Sequence, residues 1–410
     1  MDSGTGLPIV GMVGAGQLAR MTHQAAVALG QSLRVLAVNP NDAAALVAHD
    51  VVLGRHDDLA ALRRFAMGCD VVTFDHEHVP TEHLQVLAAE GVSLYPSADA
   101  LRHAQDKLLM RQALHKLGVA VPPFREVTQA QDAVSFGAEH GWPCVLKAIR
   151  GGYDGRGVWL LPSPARAQQV VTQLLSAGVP LLVEQHVATR RELAALVARS
   201  PFGQGAAWPV VQTVQRDGIC VEVLAPAPGL DAALALHAQQ LALGVAAQLG
   251  VVGVLAVELF ETPGGRLLVN ELAMRPHNSG HWTIEGSVTS QFEQHLRAVL
   301  DYPLGATTPV AAACVMANVL AARTPPRMGM DQRVHHVMAR YPQAKLHLYA
   351  KQERPGRKIG HVTVLGTQLG PAREAAAAAA TFLATAQWPE RDSPSGPEGS
   401  EREPHRCDHG

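Results

Sequence analysis

Apolar and polar positions along the first hundred residues form a repeating pattern of two kinds of segment. Short apolar runs, typical of buried strands, alternate with stretches whose apolar positions recur every three or four residues, as on an amphipathic helix. The predicted strands are 8–13, 34–38, 51–53, 71–74 and 93–95, and the predicted helices are 17–29 and 59–67. This alternation predicts an α/β domain with a doubly wound parallel sheet.

The next part of the chain has a different pattern. A single helix is predicted over 98–117, because Gly118 and a pair of prolines follow it. A small mixed unit comes next, with predicted strands at 144–148, 158–161 and 180–184 and a predicted helix at 164–175.

The remaining residues divide into three segments. Residues 192–305 are predicted to form a larger antiparallel sheet with flanking helices, one of them at 230–249. Residues 310–388 are mixed and end in an alanine-rich helix at 372–386. The polar residues 389–410 cannot bury a core, so a disordered tail is predicted there.

The charge balance argues against two classes of function. The chain has 34 Lys and Arg against 36 Asp and Glu, and its pI is near 6.9. A nucleic-acid binder or a polybasic membrane protein would carry a basic surplus, so neither nucleic acid nor a membrane is an expected partner. The lysines are few, and they stand at positions 107, 116, 147, 345, 351 and 358. An ammonium is not interchangeable with a guanidinium, so these lysines mark places where a compact charge is needed.

Two features bear on the compartment. The 5 cysteines are scattered and odd in number, which is typical of reduced thiols in a cytoplasmic protein, and no signal-peptide pattern is seen. The apolar stretch 241–257 resembles a membrane segment, but Gln248 and Gly250 interrupt it and Glu258 follows. It is therefore predicted to be a helix, a turn and a buried strand.

A first glycine loop joins the first predicted strand to the first helix. Gly14, Gly16 and Ala19 match the G-x-G-x-x-G/A pattern of dinucleotide sites. Such a site also needs an acidic residue at the end of the second strand, where this chain has Asn39. The loop is therefore expected to bind another phosphate-bearing ligand, or only to form a tight turn.

A second glycine loop lies between two predicted strands. Lys147 occupies a strand position four residues before Gly151, and the loop 151–157 contains three further glycines. A hairpin of this kind can donate backbone N–H groups to a triphosphate while the strand lysine neutralises its charge. The alternative is a flexible hairpin with an incidental lysine.

Carboxylates follow at the ends of later strands. Residues 184–187 and Glu192 could offer backbone groups to an adenine edge and a carboxylate to a ribose. Glu258 and Glu271, the latter beside Asn270, lie on two strands joined by a turn. Hard divalent cations take such oxygens together with substrate phosphates, so a two-Mg²⁺ site is predicted, with a structural salt bridge as the alternative.

Two polar loops complete the candidate chemistry. One of them places Arg275, His277 and Asn278 directly after the second carboxylate, a set suited to an anion and its developing charge. The other, 349–361, holds five cationic side chains between two predicted strands. It is predicted to be a phosphate clamp, with a solvated basic turn as the alternative.

In this order, the strand lysine, the glycine loop and the carboxylates resemble the ATP-grasp superfamily. Within it, five motifs are similar to those of the 5-(carboxyamino)imidazole ribonucleotide synthase family, at 14–18, 151–157, 270–281, 290–295 and 356–361. The resemblance covers about residues 8 to 370. The motifs at 277–281 and 356–361 are the specific ones.

The resemblance implies an ATP-grasp fold of mixed α/β and α+β class. A Rossmann-like (pre-ATP-grasp) domain is expected at 8–105, and an ATP-grasp domain at 106–305 with a lid at about 120–185. A small C-terminal domain is expected at 306–388.

The implied activity is that of a cytoplasmic, homodimeric ligase of purine biosynthesis. ATP and bicarbonate would form carboxyphosphate, and its CO₂ unit would pass to the exocyclic amine of 5-aminoimidazole ribonucleotide, with ADP and phosphate as the other products. The implied ligands are therefore ATP, two Mg²⁺ ions, bicarbonate and the ribonucleotide.

The resemblance also implies the role of each site residue. The expected ATP contacts are Lys107, Lys147, Gly152, Tyr153, Asp154, Gly155, Arg156, Gly157, Val158, Glu184, Gln185, His186, Val187, Glu192, Gln215, Asn270 and Glu271. The expected metal ligands are Glu258 and Glu271. The expected catalytic residues are Asp154, Arg275, His277, Asn278 and Lys351, and the expected ribonucleotide contacts are Gln17, Glu77, Tyr153, Arg156, Lys351, Arg357 and Lys358.

Three other functions remain as alternatives. The first is another ATP-grasp ligase, such as a formate-dependent ribonucleotide transformylase, against which the turn at 356–358 argues. The second is a nicotinamide dehydrogenase built on the first glycine loop, against which Asn39 argues. The third is a non-catalytic relative, which the intact Glu258 and Glu271 disfavour. The chain departs from the family pattern at Asp75, where Glu is frequent, and at Gln215, where His is frequent.

Overall fold

A computed structural model gives the fold for residues 1–152 and 155–389, and only these residues are described. Their strands form three sheets that surround one large cleft. The mixed α/β and α+β fold class predicted from the sequence is confirmed by this arrangement.

The first sheet has four parallel strands. They are β1 (Ile9–Val13), β2 (Ser32–Ala37), β3 (Asp50–Leu53) and β4 (Val71–Phe74), in the order β3-β2-β1-β4. The helices of this region are α1 (Gln17–Ala28), α2 (Leu59–Ala66) and α3 (Thr81–Ala89). The predicted parallel sheet is therefore present. Because parallel strands end at the same edge, the residues that follow β1 and β4 lie side by side.

Two details of the N-terminal prediction were wrong. The helix predicted over 98–117 is two helices, α4 (Ala98–Gln105) and α5 (Lys107–Lys116). Asp106 separates them because its backbone is extended, and its carboxylate accepts the Leu109 N–H at 2.9 Å. Residues 93–95 form no strand of their own, and within the described chain Leu94 makes an isolated bridge to Val72.

The second sheet has four antiparallel strands. They are β5 (Phe124–Val127), β6 (Cys144–Ala148), β7 (Val158–Leu161) and β8 (Leu181–Gln185), in the order β5-β8-β6-β7. Helices α6 (Ala130–His140) and α7 (Pro164–Ser176) bury Phe136 and Val171 against Leu146 of the sheet. The second glycine loop connects β6 to β7.

The third sheet is antiparallel and has nine strands in the described residues. They are β9 (Arg191–Arg199), β10 (Gly205–Ala207), β11 (Val211–Arg216), β12 (Ile219–Ala225), β13 (Gly253–Glu261), β14 (Leu267–Ala273), β15 (Ala313–Leu320), β16 (Lys345–Leu348) and β17 (Lys358–Gly366). Their order is β14-β13-β9-β11-β12-β15-β17-β16, with β10 beside β9. The C-terminal strands therefore continue the sheet of the central region.

Helices cover both faces of the third sheet. They are α8 (Ala232–Gln248), α9 (Thr283–Gly286), α10 (Gln291–Val299), α11 (Met330–Arg340) and α12 (Leu369–Thr385). Successive residues of β9 point to opposite faces, so Ala195 and Val197 join one core cluster while Leu196 joins another with Trp208 and Trp282. Both faces of this strand are thus buried.

The apolar stretch 241–257 contains the end of α8 and the start of β13, as predicted. Within the described chain, no helix is long and apolar enough to cross a membrane. Cys69, Cys144 and Cys314 carry free thiols.

Candidate active site

A cleft of about 1690 Å³ lies where the three sheets meet. Within the described residues, every residue predicted for the site lines this cleft except Gly157. Gly157 has a positive φ of 73°, and a Cβ there would lie 3.3 Å from the Ala148 Cβ, so it shapes the loop behind the cleft. Tyr153 and Asp154 lie outside the described residues.

The first glycine loop forms a tight turn whose N–H groups already have a partner. The Asp75 carboxylate, at the end of β4, accepts hydrogen bonds from the backbone N–H groups of Gly16 and Ala19, the latter at 3.2 Å. A helix N-terminus favours a negative group, and here a buried side chain supplies it. Of the two predictions for this loop, the structure supports the tight turn, and Gln17 is the residue that it delivers to the cleft.

A buried ion network holds the strand lysine. Lys147 Nζ lies 2.7 Å from Glu184 Oε2 and donates to Asn270 Oδ1 at 3.1 Å. Arg111 Nε contacts the other Glu184 oxygen at 2.6 Å, and Arg111 Nη2 donates to the Asn270 carbonyl at 2.8 Å. Burial alone would raise the pKa of Glu184, but Lys147 and Arg111 lower it to about 2, so the carboxylate is ionised.

The hairpin of β13 and β14 aligns the two predicted metal ligands. Glu258 and Glu271 are register partners, while the next pair is Leu259 with Val269. Asn270 is therefore the extra residue of a β-bulge, which places its side chain beside Lys147. Burial raises the pKa of Glu258 to about 8, and the nearby Glu271 and Glu192 carboxylates add to the shift.

These carboxylates fit a cation that arrives with a phosphate ligand. Glu258 and Glu271 lie side by side on the cleft wall, and ionising both would place two like charges together, an arrangement that a divalent cation would stabilise. In residues 1–152 and 155–389, no group of three or more His, Cys, Asp or Glu side chains could hold a metal by itself. Lys107 Nζ lies 2.8 Å from Glu271 Oε1 and supplies positive charge at that position.

One end of the cleft is formed by the segment that follows β8. His186 and Val187 line the cleft beside Glu192, which accepts a hydrogen bond from Gln215. Burial raises the pKa of Glu192, and this hydrogen bond opposes the shift. Gln215, at a departure from the family pattern, is thus the donor that orients this carboxylate.

The loop after β14 places the Arg275 guanidinium and the His277 imidazole next to carboxylates. Arg275 Nε lies 2.8 Å from Glu77 Oε1, which brings a first-sheet residue into the same site. His277 Nε2 lies 3.4 Å from Glu258 Oε1. Burial, with Arg275 and Lys358 nearby, lowers the pKa of His277 to about 3, so the ring is neutral. Its Nδ1 accepts the Ser279 N–H, which leaves the proton on Nε2.

The C-terminal strands supply the last part of the site. Asn278 and Asn318 of β15 exchange two side-chain hydrogen bonds, at 2.9 and 2.8 Å. Lys351 donates to the side-chain oxygen of Gln17, so the loop between β16 and β17 meets the first glycine loop. Lys358 begins β17, and Arg357 precedes it at the rim of the cleft.

Three residues with direct roles in this arrangement were missed by sequence reasoning. Arg111 lies one helical turn after Lys107, a spacing that places both on one face of α5. Asn318 is a polar residue in the apolar run of β15, which is a usable signal. Gln291 gave no signal beyond its motif, because the side-chain amide pairs mainly with the backbone of His277.

Comparisons with known families cover most of the chain. A model described as the ribonucleotide synthetase preATP-grasp domain matches residues 7–105, and an ATP-grasp domain model matches residues 112–292. A model described as the phosphoribosylaminoimidazole carboxylase C-terminal domain matches residues 314–375.

Curated relatives share much of the sequence. The N5-carboxyaminoimidazole ribonucleotide synthase of Mycobacterium tuberculosis (strain H37Rv) is 61% identical over 381 residues, which are 93% of this chain and 89% of the relative. The enzyme of the same name from Corynebacterium ammoniagenes is 49% identical over 387 residues, covering 93% of this chain and 94% of the relative.

Solved structures share the fold. The N5-carboxyaminoimidazole ribonucleotide synthetase of Thermus thermophilus has a TM-score of 0.82 and 38% identity, covering 93% of this chain and 100% of that one. An Aspergillus clavatus N5-carboxyaminoimidazole synthase, solved with ADP and the aminoimidazole ribonucleotide, has a TM-score of 0.84 and 33% identity. That match covers 92% of this chain and 98% of the other.

Proposed function

The chain belongs to the N5-carboxyaminoimidazole ribonucleotide synthase family, and we propose that its cleft carboxylates 5-aminoimidazole ribonucleotide at the expense of ATP, as an ATP-dependent ligase of purine biosynthesis. In this reaction a bicarbonate oxygen attacks the γ-phosphorus of ATP, which releases ADP and gives carboxyphosphate. The amine of the ribonucleotide then bonds to the carboxyl carbon, phosphate leaves, and the amine loses a proton.

The nucleotide occupies the half of the cleft between the second sheet and the hairpin. Lys147 faces the phosphates, and the Glu184 and Arg111 contacts fix its ammonium. The described N–H groups of the second glycine loop cover the phosphates, and the close approach of Gly152 to the Arg156 carbonyl, where a Cβ would lie at 2.7 Å, needs a glycine. Residues 185–187 border the adenine, and Glu192 borders the ribose.

Mg²⁺ belongs at the hairpin. Glu258 and Glu271 would hold it, with Asn270 beside them and the nucleotide phosphates completing the oxygen shell. When bound, Mg²⁺ neutralises phosphate charge and orients the γ-phosphate for attack. Lys107 would then exchange its contact with Glu271 for one with a phosphate.

The carboxyl chemistry belongs to the loop after β14. Arg275 and Lys351 supply positive charge, and the neutral His277 donates from Nε2 beside Glu258. Asn278, held by Asn318, offers an amide to the bicarbonate and the carboxyl group that it becomes. Closure of this part of the cleft would limit the hydrolysis of carboxyphosphate.

The ribonucleotide belongs between the first sheet and the C-terminal loop. Gln17 and Glu77 extend from the first sheet, and Lys351, Arg357 and Lys358 provide charge for its phosphate. Arg156 lines the same cleft, while the proposed Tyr153 contact and the proposed Asp154 contact to the amine fall outside the described residues.

One observation carries this proposal: a single cleft unites a nucleotide set, a carboxylate pair and a cationic loop that come from three different sheets. The test is release of ADP by the purified protein with ATP, Mg²⁺ and bicarbonate, measured with and without the ribonucleotide. We expect release to depend on the ribonucleotide and on bicarbonate. Absence of this dependence would overturn the proposal.

The same assay separates the formate-dependent alternative. Replacing bicarbonate with formate should abolish ribonucleotide-dependent ADP release. A homodimer and a cytoplasmic location are further proposals, and sedimentation of the purified chain tests the first of them.

A further inference from the structure

The motif at 290–295 begins helix α10 and has no part in the proposed chemistry. It contains two glutamines, Gln291 and Gln294, whose side chains are fully buried. A buried amide must find hydrogen-bond partners, so its contacts indicate which segment it holds. The two glutamines hold two different segments.

The Gln291 amide pairs with both backbone groups of one site residue. Its Oε1 accepts the His277 N–H at 2.8 Å, and its Nε2 donates to the His277 carbonyl at 2.8 Å. The same Nε2 lies 3.0 Å from His281 Nδ1. The side chain therefore binds the start and the end of the segment 277–281, much as a neighbouring strand would.

The backbone of the same residue ties this segment a second time. The Gln291 N–H donates to Thr283 Oγ1 at 2.8 Å, and Thr283 Oγ1 donates to the Gly280 carbonyl at 2.6 Å. A Cβ on Gly280 would lie 2.4 Å from Gln291 Oε1, so the approach of the two segments needs a glycine there. The motifs at 277–281 and 290–295 are therefore in direct contact, with no room for a side chain on Gly280.

We propose that Gln291 is a positioning residue that keeps His277 and Asn278 aligned on bicarbonate and on the carboxyl intermediate. This inference rests on the proposed function of the cleft. Gln291 does not line the cleft, so it acts through the backbone of His277. If His277 and Asn278 were misplaced, ADP could still form, but water would reach the carboxyl intermediate before the amine of the ribonucleotide captures it.

Gln294 offers a matched control one turn along α10. Its Nε2 donates to the Gly305 carbonyl at 2.8 Å, and its Oε1 accepts the Gly305 N–H at 2.7 Å. This is the same reciprocal pairing with one backbone residue, at equal burial, on a segment that does not line the cleft. Loss of the Gln294 amide should therefore affect stability in a similar way without affecting the site.

The experiment compares Gln291→Met with Gln294→Met, because methionine keeps the length of the side chain and removes every hydrogen bond of the side-chain amide. ADP formation and incorporation of labelled bicarbonate into the ribonucleotide are measured in samples quenched at early times. We expect Gln291→Met to form about tenfold more ADP per carboxylated product than the unchanged protein. Gln294→Met should keep the ratio of the unchanged protein.

An unchanged ratio in Gln291→Met, or an equal rise in Gln294→Met, overturns the inference. If Gln291→Met does not fold, Thr283→Val removes the second tie to the same segment and is judged by the same ratio. Failure of the unchanged protein to make carboxylated product would instead overturn the proposed function. The two failures are therefore distinguishable.

Discussion

At the scale of single residues, Glu184 is a carboxylate held between two cations away from water. Its side chain is 3% exposed, and that of Arg111 is 1% exposed. Lys147 needs this anion to remain charged in a buried place, and Arg111 binds the second oxygen of the same carboxylate. The network therefore fixes the position of the Lys147 ammonium at the wall of the cleft.

Replacing Arg111 tests this network. Arg111→Met removes the donor to Glu184 Oε1 and to the Asn270 carbonyl, which should lower the free energy of unfolding by about 2–3 kcal/mol. The KM for ATP should rise as well, because Lys147 is no longer fixed. Urea unfolding and steady-state kinetics measure the two effects. Arg63→Met, which removes the exposed partner of Glu90, is the control and should change neither. A stable Arg111→Met protein with an unchanged KM would contradict this account.

Glu271 is a second residue whose replacement should affect activity without affecting the fold. Glu271→Gln keeps the shape of the side chain but removes the charge that would hold Mg²⁺ and that pairs with Lys107. We expect ribonucleotide-dependent phosphate release to fall to background while circular dichroism stays unchanged. Glu222→Gln, whose carboxylate pairs with Arg373 at 2.7 Å outside the cleft, should retain activity. Retained activity in Glu271→Gln would refute the metal assignment.

At the scale of elements, one extended residue separates α4 from α5 and sets the direction of the helix that carries Lys107. The Asp106 carboxylate caps α5 through Leu109 and accepts Arg150 Nε at 2.9 Å. Lys107 follows at the first helical position, and its N–H donates to the Ile149 carbonyl at 2.9 Å. The cap thus joins the start of α5 to the strand that leads into the second glycine loop.

Asp106→Ala should therefore have two effects. Loss of the cap lowers the free energy of unfolding by about 1 kcal/mol, and the displaced Lys107 raises the KM for ATP several-fold. Asp58→Ala removes the equivalent cap of α2, where the carboxylate accepts the Ala60 N–H at 2.9 Å, away from the cleft. It should lower stability by a similar amount without changing the KM. Equal KM values for the two variants would show that the cap of α5 has no influence on the site.

Element positions followed from the sequence wherever local pattern determined them. The strands at 144–148 and 158–161 begin and end where the glycine loop and the apolar runs predict. The break at Asp106 was missed because the apolar spacing of 98–117 continues through it, and only the capping contact reveals it. The partner of the first glycine loop was missed for another reason. Asp75 lies 59 residues from Gly16, and such a contact depends on strand order, which periodicity does not contain.

At the scale of the whole molecule, the site depends on three regions meeting. The strands after residue 310 extend the central sheet, and this continuous set of hydrogen-bonded strands brings Asn318 to Asn278 and Lys358 to the cleft. The first sheet is joined differently, through buried side chains of α10. His295 Nδ1 accepts the Val254 N–H at 3.1 Å, and His295 Nε2 lies 2.8 Å from Thr73 Oγ1 of β4. The domain bounds predicted at 105/106 and 305/306 remain a proposal.

This joint should make the stability of the protein depend on pH in a defined window. Burial lowers the pKa of His295 from its ordinary value of 6.5 to about 3, so the folded ring stays neutral where an unfolded one is protonated. Because the unfolded chain binds this proton more readily, the free energy of unfolding falls as pH decreases from 6.5 towards 3, by up to about 1.4 kcal/mol per pH unit.

His295→Gln keeps a donor and an acceptor but has no proton to gain. Between pH 6.5 and 5 it should lose roughly 1–2 kcal/mol less than the unchanged protein in urea unfolding. His237→Gln, on the exposed side of α8, is the matched control and should follow the unchanged protein. Parallel pH profiles for all three proteins would mean that His295 is not the group that makes the free energy of unfolding fall in acid.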